Sequence, residues 1–363
     1  MNIRVLQIGS DRSKRGILFP HTPAAKRQAA FAEALGDLDI IAFSLASDNA
    51  RPYIEGALRV YPTDSPNKLL YGYDALRIMK HLHRPTVISA QDPFEVGLLA
   101  LLIARTLGIP LHVQVHTDFL AKEFIGHSIL NRLRSRVART ILKRADGIRV
   151  VSRRIKDSLK TKNLELKTIP TVLPIFADVD AIRTAEVDTV LAERFARFKT
   201  KVLFVGRFEP EKNPCLAIRS FAAVAPADAC LIMVGDGSER AHLEAQAEEH
   251  GVRDRVFFEG LQEAVRYYPI ADLVLVTSHY EGYGLVVIEG LAAGKPVLST
   301  DVGVAHEAGA IISSAESFTD ALGEWFKSGP RTAELKNYPY RNFEEYIAAF
   351  AEDISCAIRV PNA

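Results

Sequence analysis

The chain has 363 residues, 48% of them apolar and 25% charged, and its formal net charge is +1. That length is long for a single core and comfortable for two domains. The composition excludes a disordered, collagen-like or broadly nucleic-acid-binding chain. Cysteines at 215, 230 and 356 are too few and too scattered for a disulfide framework or a zinc site, so a reducing, cytoplasmic setting is expected.

The first residues run straight into a strand pattern, Ile3–Ile8 ending in Gly9, with no signal-peptide pattern. The longest apolar run, Val96 to Ala104, is about half of what spans a bilayer, so an integral membrane protein is not expected. Strand-like segments recur at 39–45, 86–89, 111–115 and 147–151, and helical patterns separate them at 23–35, 67–82, 94–107 and 128–144. This alternation predicts βαβ units with a parallel sheet covered on both faces.

Prolines at 170 and 174 break the pattern, and the domain boundary is expected there. The N-terminal domain is predicted over 1–172 and the C-terminal domain over 173–341. In the second half strands are predicted at 201–205, 229–234, 255–259, 272–277, 296–299 and 310–313. Helices are predicted between them at 213–224, 238–249, 284–293 and 315–327. The tail at 342–358 reads as an amphipathic helix that returns to the first domain. The fold class expected is α/β, with two doubly wound Rossmann-like domains facing a cleft, since parallel sheets bind ligands beyond their carboxyl ends.

Three loops of the second half lie just past predicted strand ends. In Val205-Gly-Arg-Phe-Glu-Pro-Glu-Lys-Asn213, Arg207 and Lys212 can converge on one anion. Val234-Gly-Asp-Gly-Ser238 is a glycine turn into a helix that lacks the third glycine of the dinucleotide fingerprint. Ser278-His-Tyr-Glu-Gly-Tyr-Gly-Leu285 opens a helix whose free N–H groups suit a phosphate, with Glu281 before it and Glu289 inside it. A further strand ends in Phe257-Phe-Glu-Gly-Leu-Gln262, where a glycine allows close approach of a base. An anion site, a base-sized slot and paired hydroxyl acceptors describe a nucleoside diphosphate carrying a sugar.

These residues resemble the family-four retaining glycosyltransferases, which have the GT-B fold. The resemblance runs through Gly206-Arg-Phe…Lys212, Val234-Gly-Asp-Gly, Phe258-Glu-Gly, Ala271-Asp, the Glu281-x7-Glu289 pair, Gly294-Lys-Pro-Val and Asp301-Val-Gly303. A looser match in the first half rests on Gly9, on His116 in Val113-Gln-Val-His-Thr-Asp118 and on Ala145-Asp-Gly-Ile-Arg-Val-Val-Ser152. Where the family often has two glycines after the first strand, this chain has Gly9-Ser10.

The resemblance implies a role for each residue. Arg207 and Lys212 would hold the donor diphosphate and stabilise the leaving phosphate. Glu281 would hydrogen-bond the transferred sugar, and the amides of Gly282, Tyr283, Gly284 and Leu285 would approach sugar and phosphate. Glu289 would hold the ribose, while Gly9, Gly206, Gly235 and Leu261 would line the donor. His116 would reach the donor sugar from the first domain. The expected activity is retaining transfer of a hexose from a UDP- or GDP-linked sugar to a glycan or lipid-linked acceptor, as in polysaccharide biosynthesis. Neither a metal nor a cofactor is expected, the nucleotide-sugar being a substrate. A sugar-nucleotide epimerase of the same fold, or a non-catalytic nucleotide-sugar-binding subunit, is the alternative.

Other signals are weaker. Gln91-Asp92 follow a predicted strand and either touch the acceptor or cap the next helix. Asp37-Leu-Asp39 reads as loop acids before a strand and Asp178-Val-Asp180 as a helix cap, which argues against a metal triad. His81, His83 and His112 read as structural. The helix at 129–144 carries Ile129, Leu133, Val137 and Ile141 at spacing four among arginines. It packs its apolar stripe inward or rests on anionic lipid at the inner face of the membrane.

Overall fold

The structure, a computed structural model, describes residues 3–13, 16–162 and 164–359. Two compact units divide the chain: Met1–Pro174 with Tyr340–Ala363, and Ile175–Pro339. Each is a parallel sheet with helices on its faces.

The first unit holds β1 (Ile3–Gly9), β2 (Gly36–Ala42), β3 (Tyr53–Glu55), β4 (Leu58–Pro62), β5 (Val87–Ala90), β6 (Leu111–Val115), β7 (Gly147–Val150) and β8 (Thr171–Val172). Their order is β3-β4-β2-β1-β5-β6-β7-β8, parallel except for the edge pair β3–β4. Central strands such as β5 and β6 are buried at every position, as parallel strands covered on both faces must be. Helices between them begin on hydroxyl caps: Thr22 Oγ1 accepts from Ala25 N, Ser128 Oγ from Asn131 N and Ser152 Oγ from Ile155 N.

The tail helix, Phe343–Arg359, packs on this first unit. Phe350 stacks on Phe31 with ring centroids 3.9 Å apart. Asp353 Oδ2 meets His112 Nε2 at 2.9 Å, and His112 Nδ1 lies 3.0 Å from Ser89 Oγ. Burial would raise the Asp353 carboxyl, but the hydrogen bond and charge of His112, aided by Thr171 and Arg149, hold it below the usual range.

The second unit holds β9 (Thr200–Val205), β10 (Ala229–Val234), β11 (Val256–Gly260), β12 (Leu273–Val276), β13 (Val297–Thr300) and β14 (Ile311–Ser313), all parallel in the order β11-β10-β9-β12-β13-β14. Phe204, Phe208, Phe221, Phe318 and Trp325 fill the core between this sheet and its helices.

Three expectations change. Asp37 and Asp39 are strand residues of β2 rather than loop acids. Arg4 Nε donates to Asp37 Oδ2 at 2.8 Å and Arg59 Nε to Asp39 Oδ1 at 2.6 Å, so neighbouring strands neutralise the pair. The pattern at 67–82 resolves into a short turn at Lys68–Leu70, capped by the Asn67 side chain, and a helix at Tyr71–Met79. The basic helix, Ile129–Leu142, buries Asn131, Ser135, Ala138, Ile141 and Leu142, whereas Ile129 is 83% and Leu133 55% exposed. The inward face thus begins with the small and polar Asn131, Ser135 and Ala138 and turns apolar only at Ile141 and Leu142, and the helix packs on helix Glu95–Leu107. Asp178 does cap a helix, accepting from Ala181 N.

Candidate active site

In a doubly wound sheet the chain leaves the central strand first to one side and later to the other, and a crevice opens at the carboxyl ends where the directions part. In the second unit β9 is followed by β10 on one side and flanked by β12 on the other. The loops after β9 and β12 therefore meet at this point. They carry Gly206–Asn213 and Thr277–Gly284.

These loops are tied together by bonds that fix their side chains. Thr277 Oγ1 donates to the carbonyls of Lys212 and Asn213 at 3.0 and 2.9 Å, and His279 N donates to Glu211 O at 2.8 Å. Lys212 sits in a single turn, Pro210–Lys212, that Asn213 ends in the left-handed region at φ 47°. Its Nζ forms an ion pair with Glu281 Oε1, which also accepts from Ser278 Oγ at 2.8 Å. Arg207 pairs instead with Glu211, at 2.6 Å, and its side chain is 67% exposed. Each cation thus has its own carboxylate, and Lys212 alone touches Glu281.

Gly284 takes φ 93° just before helix Leu285–Ala292, whose first amides have no partner within the helix. Inside that helix Glu289 Oε2 accepts from the Tyr268 hydroxyl at 2.7 Å. Burial raises the Glu289 carboxyl above its ordinary value, and the Tyr268 bond opposes this. Tyr283 precedes Gly284 and is buried, while Gly282 is buried beside it.

The loops after β10 and β11 close against the same region. Gly206 N donates to Val234 O and Gly235 N to Gly260 O at 3.0 and 2.8 Å. Gly235, at φ 144°, lies so near Gly206 that a Cβ there would stand 1.9 Å from the Gly206 carbonyl oxygen. Leu261, one residue past β11, is 80% exposed.

Gly9, Gln91, Asp92 and His116 belong to the first unit, at the ends of β1, β5 and β6. Here too the central strand, β1, lies between β2 and β5, and a cavity of about 390 Å³ opens at these strand ends. Ser10, Phe43 and Asp92 line it from the three strands, with Tyr71 and Lys68 from the segment after β4. Asp92 Oδ1 accepts from Phe94 N at 2.8 Å in a turn just ahead of helix Glu95–Leu107, whose N-cap residue is Phe94 and not Asp92. Burial pushes its carboxyl up to about 6, with the neighbouring Glu95 charge raising it and Arg134 opposing. Gln91 packs over Gly9, where a Cβ would collide with its side-chain oxygen. His116 lies outside the cavity lining; it contacts Gln114 Oε1 at 3.2 Å, and burial, then the charges of Arg149 and Arg27, push it down to about 3. Tyr71, Lys68, Arg12, Arg134 and Tyr268 were not singled out by the sequence. Asp92 alone of the cavity lining was expected as a site residue. The Cys215, Glu239 and His242 side chains, from two helices of the second unit, also come within 4.8 Å of one another.

Comparison with known proteins follows the division of the chain. The family Glycosyltransferase Family 4 matches residues 28–174, and Glycosyl transferases group 1 matches 192–341. The alpha-monoglucosyldiacylglycerol synthase of Streptococcus pneumoniae is 28% identical over 62% of this chain and 54% of its own. The 2-deoxystreptamine glucosyltransferase of Streptomyces kanamyceticus is 31% identical over 55% of each. The chain spans about half the length of these curated relatives. The solved structure of HepE from Anabaena in complex with UDP and glucose superposes with a TM-score of 0.72 at 18% identity, covering 98% of this chain and 97% of that one. The two halves of the chain thus resemble, in order, two glycosyltransferase families, and its fold along its whole length is the GT-B fold of its structural neighbours.

Proposed function

We propose that the protein transfers a hexose from a UDP- or GDP-linked donor to a glycan or lipid-linked acceptor, with retention of configuration and without a metal. The observation that carries this reading is the Lys212–Glu281 pair at the carboxyl ends of β9 and β12. The opening turn of helix Leu285–Ala292 and the Glu289 carboxylate lie in the same unit and support it. A relative named as a glucosyltransferase and a fold neighbour that holds UDP and glucose support the donor class.

In this reading the diphosphate draws Lys212 from Glu281, with Arg207 as second cation, and Glu281 turns to a sugar hydroxyl. Gly206, Gly235 and Leu261 line the base and ribose, Glu289 holds the ribose, and Gly282–Leu285 present their amides. The bond between the anomeric carbon and the phosphate oxygen breaks, and a bond to the acceptor oxygen forms on the same face. The acceptor proton passes to the departing phosphate oxygen, and the cations stabilise the charge. His116, neutral at working pH, and Gly9 serve the donor sugar from the first unit. Gln91 and Asp92 serve the acceptor.

The exposed Ile129, Leu130 and Leu133, beside Arg132 and Arg136, suit contact with an anionic lipid surface. No helix among the described residues is long and apolar enough to cross a membrane. Sedimentation with phosphatidylglycerol vesicles tests the contact: Leu130→Glu with Leu133→Glu abolishes it, and equal sedimentation of variant and wild type sinks it.

Nucleotide release from UDP-glucose, UDP-N-acetylglucosamine and GDP-mannose tests the whole reading. Unchanged turnover in Glu281→Ala and Lys212→Ala defeats the site assignment. Proton NMR of donor incubated alone separates transfer from epimerisation, and donor binding without transfer to any acceptor marks a binding subunit.

A further inference from the structure

Resting on the glycosyl-transfer reading, we propose that the cavity at the ends of β1, β2 and β5 takes a phosphate-bearing acceptor. Its reacting hydroxyl lies at Asp92, and its phosphate is held by Lys68 with Arg12 and Tyr71 donating.

The cavity's size, about 390 Å³, lies within the range of small-molecule sites. Phe43 and Tyr71 stack in it with centroids 5.0 Å apart and an interplanar angle of 22°, a flat apolar wall for a carbon skeleton. Lys68 lies on the rim with no carboxylate partner among the described residues, so its charge is available to a ligand. Arg12 uses Nε and Nη2 on Asp48, at 2.8 and 2.7 Å, which leaves Nη1 to donate elsewhere.

Tyr71 supplies an independent observation. Its hydroxyl oxygen is enclosed and has no hydrogen-bond partner among the described residues. A buried polar group without a partner is rare in folded proteins, and a ligand oxygen would complete it. Burial raises the phenol further above neutrality, with Arg12 and Asp48 acting in opposite senses, so Tyr71 stays protonated and offers a donor. Phosphate oxygens only accept at neutral pH, and Lys68, Arg12 Nη1 and Tyr71 are three donors.

The acid at the other part of the lining orients the ligand. A phosphate beside Asp92 and Glu95 would meet like charge, whereas a hydroxyl beside Asp92 donates to its carboxylate. A molecule with a hydroxyl at one end and a phosphate at the other satisfies both regions. A soluble phosphorylated sugar and a phospholipid head group share this chemistry.

The test uses the full chain and saturation-transfer NMR. The soluble arm compares glucose 6-phosphate, inorganic phosphate and glucose. The lipid arm compares detergent micelles with phosphatidylglycerol and with diacylglycerol. Binding of the phosphorylated member of at least one arm is expected to exceed its neutral counterpart about tenfold. Lys68→Ala and Tyr71→Phe each remove most of that preference, and UDP binding in the same samples is unchanged. The arm that responds identifies the source. Equal binding of phosphorylated and neutral probes, no binding in either arm, or a preference that survives both substitutions overturns the proposal. Failure of the wild type to bind UDP instead strikes the glycosyl-transfer reading beneath it.

Discussion

Lys212 and Glu281, 69 residues apart, form an ion pair that joins the loop after β9 to the loop after β12. The same two loops are held by the Thr277 hydroxyl on the Lys212 and Asn213 carbonyls, so the pair sits in a frame that does not depend on it. A cation and a carboxylate in contact, half-buried and already positioned, can exchange partners in the way the proposed donor binding requires.

Lys212→Ala is expected to lower kcat about 10²–10³-fold in nucleotide-release assays, the scale for losing one group that stabilises developing charge. Because the pair is partly solvated, the same change shifts stability by only ~1 kcal/mol, read from thermal or chemical unfolding. Combining Lys212→Ala with Glu281→Gln should cost less than the sum of the single losses, since the two act as a unit.

Under the proposed function, Glu289→Ala is expected to raise the donor KM about tenfold or more with a smaller effect on kcat, because the proposed ribose contact is the same in the ground and transition states. The Glu289 carboxyl is raised by burial, so it takes up a proton at higher pH than an ordinary glutamate. Donor KM should therefore rise as the medium becomes mildly acidic. Tyr268→Phe removes the bond that favours the carboxylate and should move that rise to still higher pH, which a KM-versus-pH series measures.

Asp92, pushed up to about 6, is mostly ionised at neutral pH and neutral below it. If it accepts a bond from the acceptor hydroxyl, kcat/KM for the acceptor falls about tenfold per pH unit well below 6. Asp92→Asn should abolish that limb and lower the plateau. His116, pushed down to about 3, stays neutral throughout, so His116→Ala should lower the rate without moving the limb.

His112 and Asp353 form a buried pair between β6 and the tail helix. Removing one partner strands the other, so Asp353→Asn or His112→Ala should cost about 3–5 kcal/mol in urea unfolding of the first unit. The Asp353 carboxyl is held below its ordinary value in the fold, so its contribution is present above about pH 4 and fades as pH falls through the folded value. The gap between wild type and Asp353→Asn should shrink in acid.

The parallel strands of the second unit read directly as apolar runs, because a strand covered on both faces has no polar side to show. The edge pair β3–β4 did not, since Glu55 and Arg59 alternate with apolar residues in strands of three and five residues. Asp37 and Asp39 looked like loop acids because their neutralising arginines, Arg4 and Arg59, come from other strands. Periodicity placed the basic helix but not its buried side: spacing four cannot say that Asn131 and Ser135 face inward while Ile129 does not.

The candidate site divides in the same way. Lysine, glutamates and glycines stand at fixed offsets from strand ends, and local order suffices to point to them. Tyr268 under Glu289, Thr277 between two carbonyls, and Tyr71 beside Lys68 and Asp92 come from segments that meet only after folding. No spacing in the chain encodes those meetings.

The tail helix has a consequence for synthesis. On the ribosome β1–β8 leave the exit tunnel well before the tail helix, so Phe31 and His112 receive Phe350 and Asp353 only once Phe343–Arg359 has emerged. The second unit, Ile175–Pro339, is a single uninterrupted segment. The half made first is therefore finished last, and the nascent chain carries an open apolar face throughout translation of its other half.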